Sequence, residues 1–357
     1  MIFTIWLIAV GIQSGIIVIL VLQFFRYKTR EPNTSISFSI IIAAHNEIKN
    51  LKKLVPALLE LEYTNYEIII ALDRSSDDSS NYLKSLDSAI LKFIEINEVP
   101  DGWDPKKYAL TKAVEKSSNE WLLFTDADCL PKKKWLSNTS SRINEDAMII
   151  LGYSPYQSKG SFLHSFIQYE AFVTGFNYLS MALIGRPYMA VGRNLGIRKS
   201  FFEEKKGYDA FKEVTGGDDD LFIQSYADAK NTIASLGKDA NVETLPKNDW
   251  TSYFNQKIRH LSVGSRYSFI DKSLHLLFNG SLLAVWTLIP LIYDQNILPI
   301  ILFYLLLKGI GYRFAHSKMG SGFNYILLPL VDFIYAVFIP IIALRSKLVK
   351  DIRWKKN

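Results

Sequence analysis

The chain has 357 residues and a formal charge of +6, room for one large domain or two small ones. Residues 345–357 hold six basic residues and one acid and so supply +5 of that charge. The remainder is nearly neutral and lacks the basic stripe of a nucleic-acid-binding domain; a basic tail beside an apolar segment suits an anionic lipid surface. The single cysteine, Cys129, excludes an intramolecular disulfide and a cysteine-based zinc site and agrees with a reducing compartment.

The chain is 49% hydrophobic and 21% charged because the two kinds of residue are segregated. Residues 2–25 carry no charge and are long enough to span a bilayer as a helix. No basic residue precedes this run and no small-x-small cleavage site follows it, so it reads as a retained signal anchor rather than a signal peptide. Arg26, Lys28 and Arg30 come next and place that end in the cytoplasm by the positive-inside rule. Three more apolar segments lie at 274–293, 297–312 and 323–344. If all three crossed, the basic tail would end outside. One is therefore expected not to cross. The segment at 323–344 is the candidate, because it holds Asp332, Pro329 and Pro340 and a carboxylate is costly in a spanning helix.

Between these segments, strand and helix patterns alternate. "FSIIIAA" (38–44) is a buried strand. A helix capped by Asn46 follows, with Leu51, Leu54, Leu58 and Leu61 on one face and Pro56 inside it. "YEIIIAL" (66–72), "LKFIEI" (91–96), "EWLLFTD" (120–126) and "AMIILGY" (147–153) are the next strands, with a helix bearing Tyr82, Leu83 and Leu86 after the second. The alternation predicts parallel βαβ units with helices on both faces. Ligands of such sheets bind at the carboxyl ends of strands. Those ends carry Ala44-His45-Asn46-Glu47, Asp73-Arg74-Ser75-Ser76-Asp77 and Asp126-Ala127-Asp128.

Asp126 and Asp128 are two apart, so in an extended segment they leave on one side. Oxygen donors so placed suit a hard divalent cation, although capping aspartates at a turn share the pattern. "GGDDDLFIQ" (216–224) opens an amphipathic helix with three acids. The helix dipole accounts for one or two of them, and the third suggests a general base. "QKIRH" (256–260) puts Gln256, Arg259 and His260 on one helical turn, where Arg259 suits a phosphate. In "GWDPKKYAL" (102–110) Lys106 is placed to reach phosphates and Trp103 to stack on a sugar, against the alternative of a solvated loop.

The order "SIIIAAHNE", "IIIALDRSSDDS", "GWDPKKYAL", "LLFTDADCLP", "GRNLGIRKSFFEEKKGYDAF", "GGDDDLF", "QKIRH" resembles the membrane-bound branch of the family 2 glycosyltransferases, over residues 38 to 266. The resemblance implies a Rossmann-like α/β GT-A fold, a nucleotide-diphospho-sugar transferase domain, with transmembrane helices at both ends. It implies Asp126 and Asp128 as the metal pair, with Asp128 the direct ligand of Mg2+ or Mn2+. It implies Asp73 at the nucleotide base, Ala44 and Glu47 at the edge of the nucleotide pocket, and Lys106 beside the donor. Asp218 and Asp219 match the acidic pair whose second member is the general base. Gln256 and Arg259 match the element near the diphosphate.

Two departures stand out. Leu72-Asp73-Arg74-Ser75 replaces the common Asp-Asp-Gly-Ser, which leaves the nucleotide open. His260 replaces the tryptophan of processive synthases, which argues for a non-processive enzyme. The expected organisation is an anchor at 1–30, a catalytic domain at 36–230, acceptor-side helices at 231–272, membrane segments at 273–345 and a basic cytoplasmic tail at 346–357. The expected function is inverting, metal-dependent transfer from a nucleotide-diphospho-sugar to a hydroxyl of a lipid or lipid-linked acceptor at the plasma membrane. The alternatives are a polyprenyl-phosphate sugar transferase and, from another class, a metal-dependent phosphohydrolase.

Overall fold

The structure is a computed structural model and describes residues 1–28, 30–157, 160–292 and 297–348. In chain order the elements begin with α1 (Ile2–Arg26), β1 (Phe38–Ala44), α2 (Ile48–Leu59), β2 (Tyr66–Asp73), α3 (Ser79–Lys84), β3 (Leu91–Ile96) and α4 (Pro105–Glu115). Next come β4 (Trp121–Phe124), β5 (Cys129–Pro131), α5 (Trp135–Ser140), β6 (Ile149–Gly152), α6 (Phe162–Ile184), β7 (Leu195–Arg198) and α7 (Lys199–Glu204). The chain continues through α8 (Asp220–Tyr226), β8 (Thr232–Ser235), β9 (Val242–Thr244), α9 (Trp250–Ser262), α10 (Phe269–Thr287), α11 (Ile297–Met319) and α12 (Leu328–Leu348). They form two units. Among the described residues, one comprises 30–157 and 181–245; the other comprises 1–28, 160–180, 246–292 and 297–348.

The first unit is built on a seven-stranded sheet of order β3-β2-β1-β4-β7-β6-β8. The strands β1, β2 and β3 run parallel, as does the pair β1 and β4. Both β1 and β2 are buried along their whole length, which is why their sequences are unbroken apolar runs rather than alternating ones. The strand order reverses between β1 and β4, the switch point at which the strand ends leave a crevice.

Beyond β4 one strand breaks the parallel pattern, and β6 and β8 resume it. The strand β7 runs antiparallel between β4 and β6. Gly196 makes this possible, since a Cβ there would lie 2.9 Å from Leu123 and 3.0 Å from Ile150. A second small sheet pairs β5 with β9. The expected helix after β1 is α2, but Asn46 does not cap it. Asn46 has φ of 55°, and its side-chain oxygen accepts from the backbone N–H of Ser76 and Asp77, tying the first strand end to the second.

In the helical unit, α1 lies antiparallel to α10. The Trp6 indole donates to the Val285 carbonyl at 2.9 Å, and the Gln13 amide donates to Phe278 O and Ser281 Oγ at 2.7 and 2.8 Å. The helix α11 runs parallel to α1, with Gly311 against Ile17 and Val21 and Phe25 stacked on Phe314. Among the described residues, three segments are long and apolar enough to cross a membrane: Ile2–Arg26, Ile297–Met319 and Tyr325–Leu348. The apolar segment at 274–293 is not among them, whereas the one containing Asp332 is. The Asp332 carboxylate is fully buried and ion-paired with Lys308 at 2.6 Å. It also accepts from Trp286 Nε1 at 3.0 Å and from the Tyr169 hydroxyl. A carboxylate with its acceptors filled no longer disqualifies its helix from lipid. Most of the basic tail, 349–357, lies outside the described residues.

Candidate active site

The strand-end clusters meet at the switch point. After Phe124 the chain stays on β1 for one more bond, Thr125 N–H to Ile41 O at 3.2 Å, and then turns through Asp126, Ala127 and Asp128. Carboxylate oxygens of Asp126 and Asp128 and the Cys129 sulfur all lie within 4.8 Å of one another, the one such group among the described residues. The two acids are hard oxygen donors of the kind magnesium and manganese take. Cys129 is not a natural third ligand. Burial, with Asp128 and Asp126 beside it, pushes its thiol well above the ordinary range, and its S–H faces Asp128 Oδ1 at 3.6 Å. The donor set therefore fits a hard divalent cation on Asp126 and Asp128. Asp128 has an exposed edge, yet the protein around its carboxyl, together with Asp126 and Glu47, pushes its pKa up, against the pull of Arg193.

The helix α4 brings the first cation. Asp104 caps it by accepting from Lys107 N–H at 3.1 Å, and Pro105 occupies the first turn, the favoured place for a proline. The alternative of a solvated loop gives way to a capped helix start. From it Lys106 reaches Asp126 Oδ1 at 3.0 Å and Asp218 Oδ2 at 2.9 Å. Burial alone would lower this lysine, but Asp126, Asp218 and Asp219 outweigh it and hold the ammonium well above its usual value.

Lys107 carried no signal in the sequence beyond its neighbour's. It is buried and donates to the carbonyls of Val214 and Gly216, the latter at 2.6 Å. It thereby fixes the segment that delivers the acidic trio. Trp103, expected to meet a sugar, lies under the Lys212 ammonium and against Tyr108.

Gly216 and Gly217 take φ of 75° and 70°, a left-handed pair that side chains resist. Asp218, Asp219 and Asp220 follow, and each has a different environment. Asp218 is buried; burial alone would raise it, but Lys106 and Lys107 hold it below the usual carboxylate value. Half-buried Asp219 is pushed up to about 6 by burial and the Asp218 charge. Its oxygens accept from Gly192 N–H and Asp220 N–H, both at 2.7 Å. Asp220 opens α8 and accepts from Ala190 N–H at 3.3 Å. Gly192 is required for this approach, since a Cβ on it would sit 3.1 Å from Asp218 and 3.3 Å from Asp219.

Over residues 39–204 the sequence matches Glycosyl transferase family 2. That stretch, just under half of the chain, is similar to the family.

The chain is 28% identical over 116 residues to Glycosyltransferase AglE of Haloferax volcanii, a match covering 32% of this chain and 38% of that protein. The match thus spans well under half the length of that curated relative. Its fold is similar to that of the mannosyltransferase PcManGT from Pyrobaculum calidifontis, solved in complex with GDP-Man and Mn2+. The TM-score is 0.56 at 13% identity, over 97% of this chain and 100% of that one.

Other expected site residues fall as follows. Ala44 ends β1, buried. Glu47 precedes α2 and accepts from the Asn50 amide. Asp73 is fully buried, and Arg74 takes both its oxygens, at 2.9 and 3.1 Å. Gln256 and Arg259 lie on α9, which belongs to the helical unit. There Lys257 on the same helix pairs with Glu170 of α6 at 2.6 Å.

Proposed function

We propose that the protein transfers a sugar from a nucleotide-diphospho-sugar to a hydroxyl of a lipid or lipid-linked acceptor, with inversion. The carrying observation is Lys106, whose ammonium holds Asp126 of the paired aspartates and Asp218 of the acidic trio together. Asp128 and Asp126 would hold Mg2+ or Mn2+, which when bound neutralises the leaving diphosphate.

In the proposed step the acceptor oxygen attacks the anomeric carbon, the bond from that carbon to the diphosphate oxygen breaks, and the acceptor proton passes to Asp219. An Asp219 pKa of about 6 leaves it unprotonated at neutral pH yet more basic than an ordinary aspartate. Asp218, ion-paired and acidic, is the poorer base. Ala44, Glu47 and Asp73 keep the nucleotide-side role the family resemblance gives them, and Gln256 and Arg259 the diphosphate-side role. Because Arg74 occupies both Asp73 oxygens, a base contact there engages the pair rather than a free carboxylate.

We further propose a catalytic domain at 36–230 on the cytoplasmic face of the plasma membrane. Since α1, α10 and α11 pack alongside each other in alternating direction, α10 makes the crossing between the other two. The helix α12 then does not complete a fourth, and the tail stays with the catalytic domain. Phe338 of α12 packs on Tyr253 and Phe254 of amphipathic α9, which suits a helix near the lipid surface.

Incubation with labelled nucleotide-sugars, Mn2+ and membrane lipid extract tests the chemistry. Acceptor-dependent transfer supports it; hydrolysis without acceptor dependence would make the enzyme a phosphohydrolase. Impermeant thiol labelling in intact cells tests the orientation. Ile289→Cys should react, while Ser321→Cys and Ser346→Cys should not.

A further inference from the structure

Arg193 lies in the turn between α6 and β7, beside the aspartate pair, and neither composition nor strand-end position singles it out. Its position is built by its neighbours. Asn194 anchors the turn: its side-chain oxygen accepts from Trp135 Nε1 at 3.0 Å, and its amide donates to Tyr153 O and Ala240 O at 2.7 and 3.0 Å. The space it fills exists because residue 152 is glycine, where a Cβ would come within 2.3 Å of Asn194. On the other side, Gly192 N–H is bound to Asp219. Between these two fixed points the Arg193 guanidinium lies over the Tyr156 ring at 5.2 Å. Its Nε–H donates to Ser154 Oγ at 2.6 Å and Nη2 to Ser154 O at 3.4 Å.

These partners are neutral. Asp126 and Asp128 are near enough to raise the guanidinium pKa, together with Tyr156 and Cys129 and against the effect of burial. Among the described residues, however, Arg193 makes no ion pair with either. Of the five guanidinium N–H donors, those on Nη1 and the second on Nη2 have no acceptor among the described residues. A cation held by one edge through neutral partners, one residue from the N–H that binds Asp219, keeps donors suited to an oxygen-rich anion. The planar fork of arginine suits phosphate oxygens better than the point charge of lysine.

We infer that Arg193 is a diphosphate-binding residue, contacting phosphate oxygens of the donor from the turn that also holds Asp219. This rests on the donor proposed above. The 192–194 turn then serves the reaction twice, with its backbone holding the proposed base and its side chain holding the leaving group.

The test measures binding by the full-length protein in detergent, by calorimetry, with Mn2+ alone and with Mn2+ plus inorganic pyrophosphate, GDP or UDP. Arg193→Met is expected to lose about 10- to 100-fold in affinity for whichever diphosphates the wild type binds, the usual range for charge-assisted hydrogen bonds. Affinity for Mn2+ alone should be unchanged or tighter, since a competing cation has been removed. Unchanged diphosphate affinity in a folded Arg193→Met overturns the inference. So does an equal weakening of Mn2+ alone, which would make Arg193 a support for the aspartate pair. If Arg193→Met does not fold by thermal melting, Arg193→Lys replaces it. That variant should bind diphosphate more weakly than wild type, and wild-type affinity overturns the inference. A wild-type protein that binds none of the three diphosphates with Mn2+ sinks the donor proposal itself.

Discussion

Each unit holds a lysine–aspartate cluster. In the α/β unit, Lys106 bridges Asp126 and Asp218, with side chains 17%, 35% and 11% exposed. In the helical unit, Lys308 meets Asp332 with neither exposed at all. Asp332 has its oxygens filled by Lys308, Trp286 and Tyr169, and Lys308 also donates to the Tyr304 hydroxyl at 3.0 Å. Such a cluster has no spare capacity and no path for a ligand. The first is strained by three carboxylates around one ammonium and remains open to solvent, so a cation or phosphate can replace one of its contacts. The same two residue types serve packing in one unit and form the proposed active site in the other.

The sharpest way to break this comparison is Asp128→Asn. It should lower turnover by about 1000-fold or more, several kcal/mol of barrier, and abolish Mn2+-dependent stabilisation by donor, while the melting temperature without ligand stays near wild type. Turnover near wild type would remove the metal assignment. The counterpart is Lys308→Met. Leaving Asp332 buried without its cation should cost about 3–5 kcal/mol of stability, with turnover per folded molecule unchanged. The double variant Lys308→Met/Asp332→Leu should recover more than half of that loss. If Lys308→Met melts like wild type but transfers no sugar, the helical cluster is part of the chemistry and the contrast fails.

How much of this was legible in the sequence follows from which interactions are local. The ends of β1, β2 and β4 were readable because fully buried parallel strands are unbroken apolar runs, and a carboxylate after such a run marks its end. The antiparallel strand β7 was not. "LGIR" is four residues long, and its place in the sheet depends on Gly196 fitting between Leu123 and Ile150, a contact across the sheet. Asn46 looked like a helix cap because asparagine before an apolar helix usually is one; the second strand end, distant in sequence, claimed its side chain instead. Lys106 was legible only through its motif, whereas Lys107 became visible once its carbonyl partners at 214 and 216 were known. That Asp332 would be paired was not legible, because its cation lies on another helix.

Within the Lys106 cluster the three acids should differ. Asp219→Asn is expected to lower acceptor glycosylation by about 100-fold, the scale of a lost general base, with donor affinity little changed. Asp218→Asn should cost about 10-fold, because it frees Lys106 and disturbs the trio without removing the base. Asp220→Asn should cost least. Steady-state kinetics on the three, with donor binding measured separately, decides the order. A dead Asp218→Asn beside an active Asp219→Asn would move the base by one residue. Three active variants would point to a phosphate acceptor and a polyprenyl-phosphate sugar transferase.

The smallest effect is the dependence on pH, and it separates Asp218 from Asp219 without changing the trio's shape. Asp219 must be unprotonated to accept the acceptor proton. With its pKa pushed up to about 6, kcat/KM should be level near pH 7 and fall about tenfold per unit well below 6. Asp219→Asn should lose that limb. The stability signature has the opposite sense. A carboxyl raised above its ordinary value near 4 binds its proton more tightly when folded. Its contribution to stability is therefore present at low pH and is lost as pH rises from about 4 through 6. Asp218, lowered by Lys106 and Lys107, contributes stability above the ordinary carboxylate value and loses it on acidification. The melting temperature of wild type should thus gain on that of Asp219→Asn as pH falls from 6 to 4, while activity declines over the same window. Melting curves and initial rates at half-unit steps would show both trends. A rate that stays level down to pH 5, or a melting difference that narrows toward pH 4, would mean that Asp219 is an ordinary carboxylate and that the cluster around Lys106 has not tuned it.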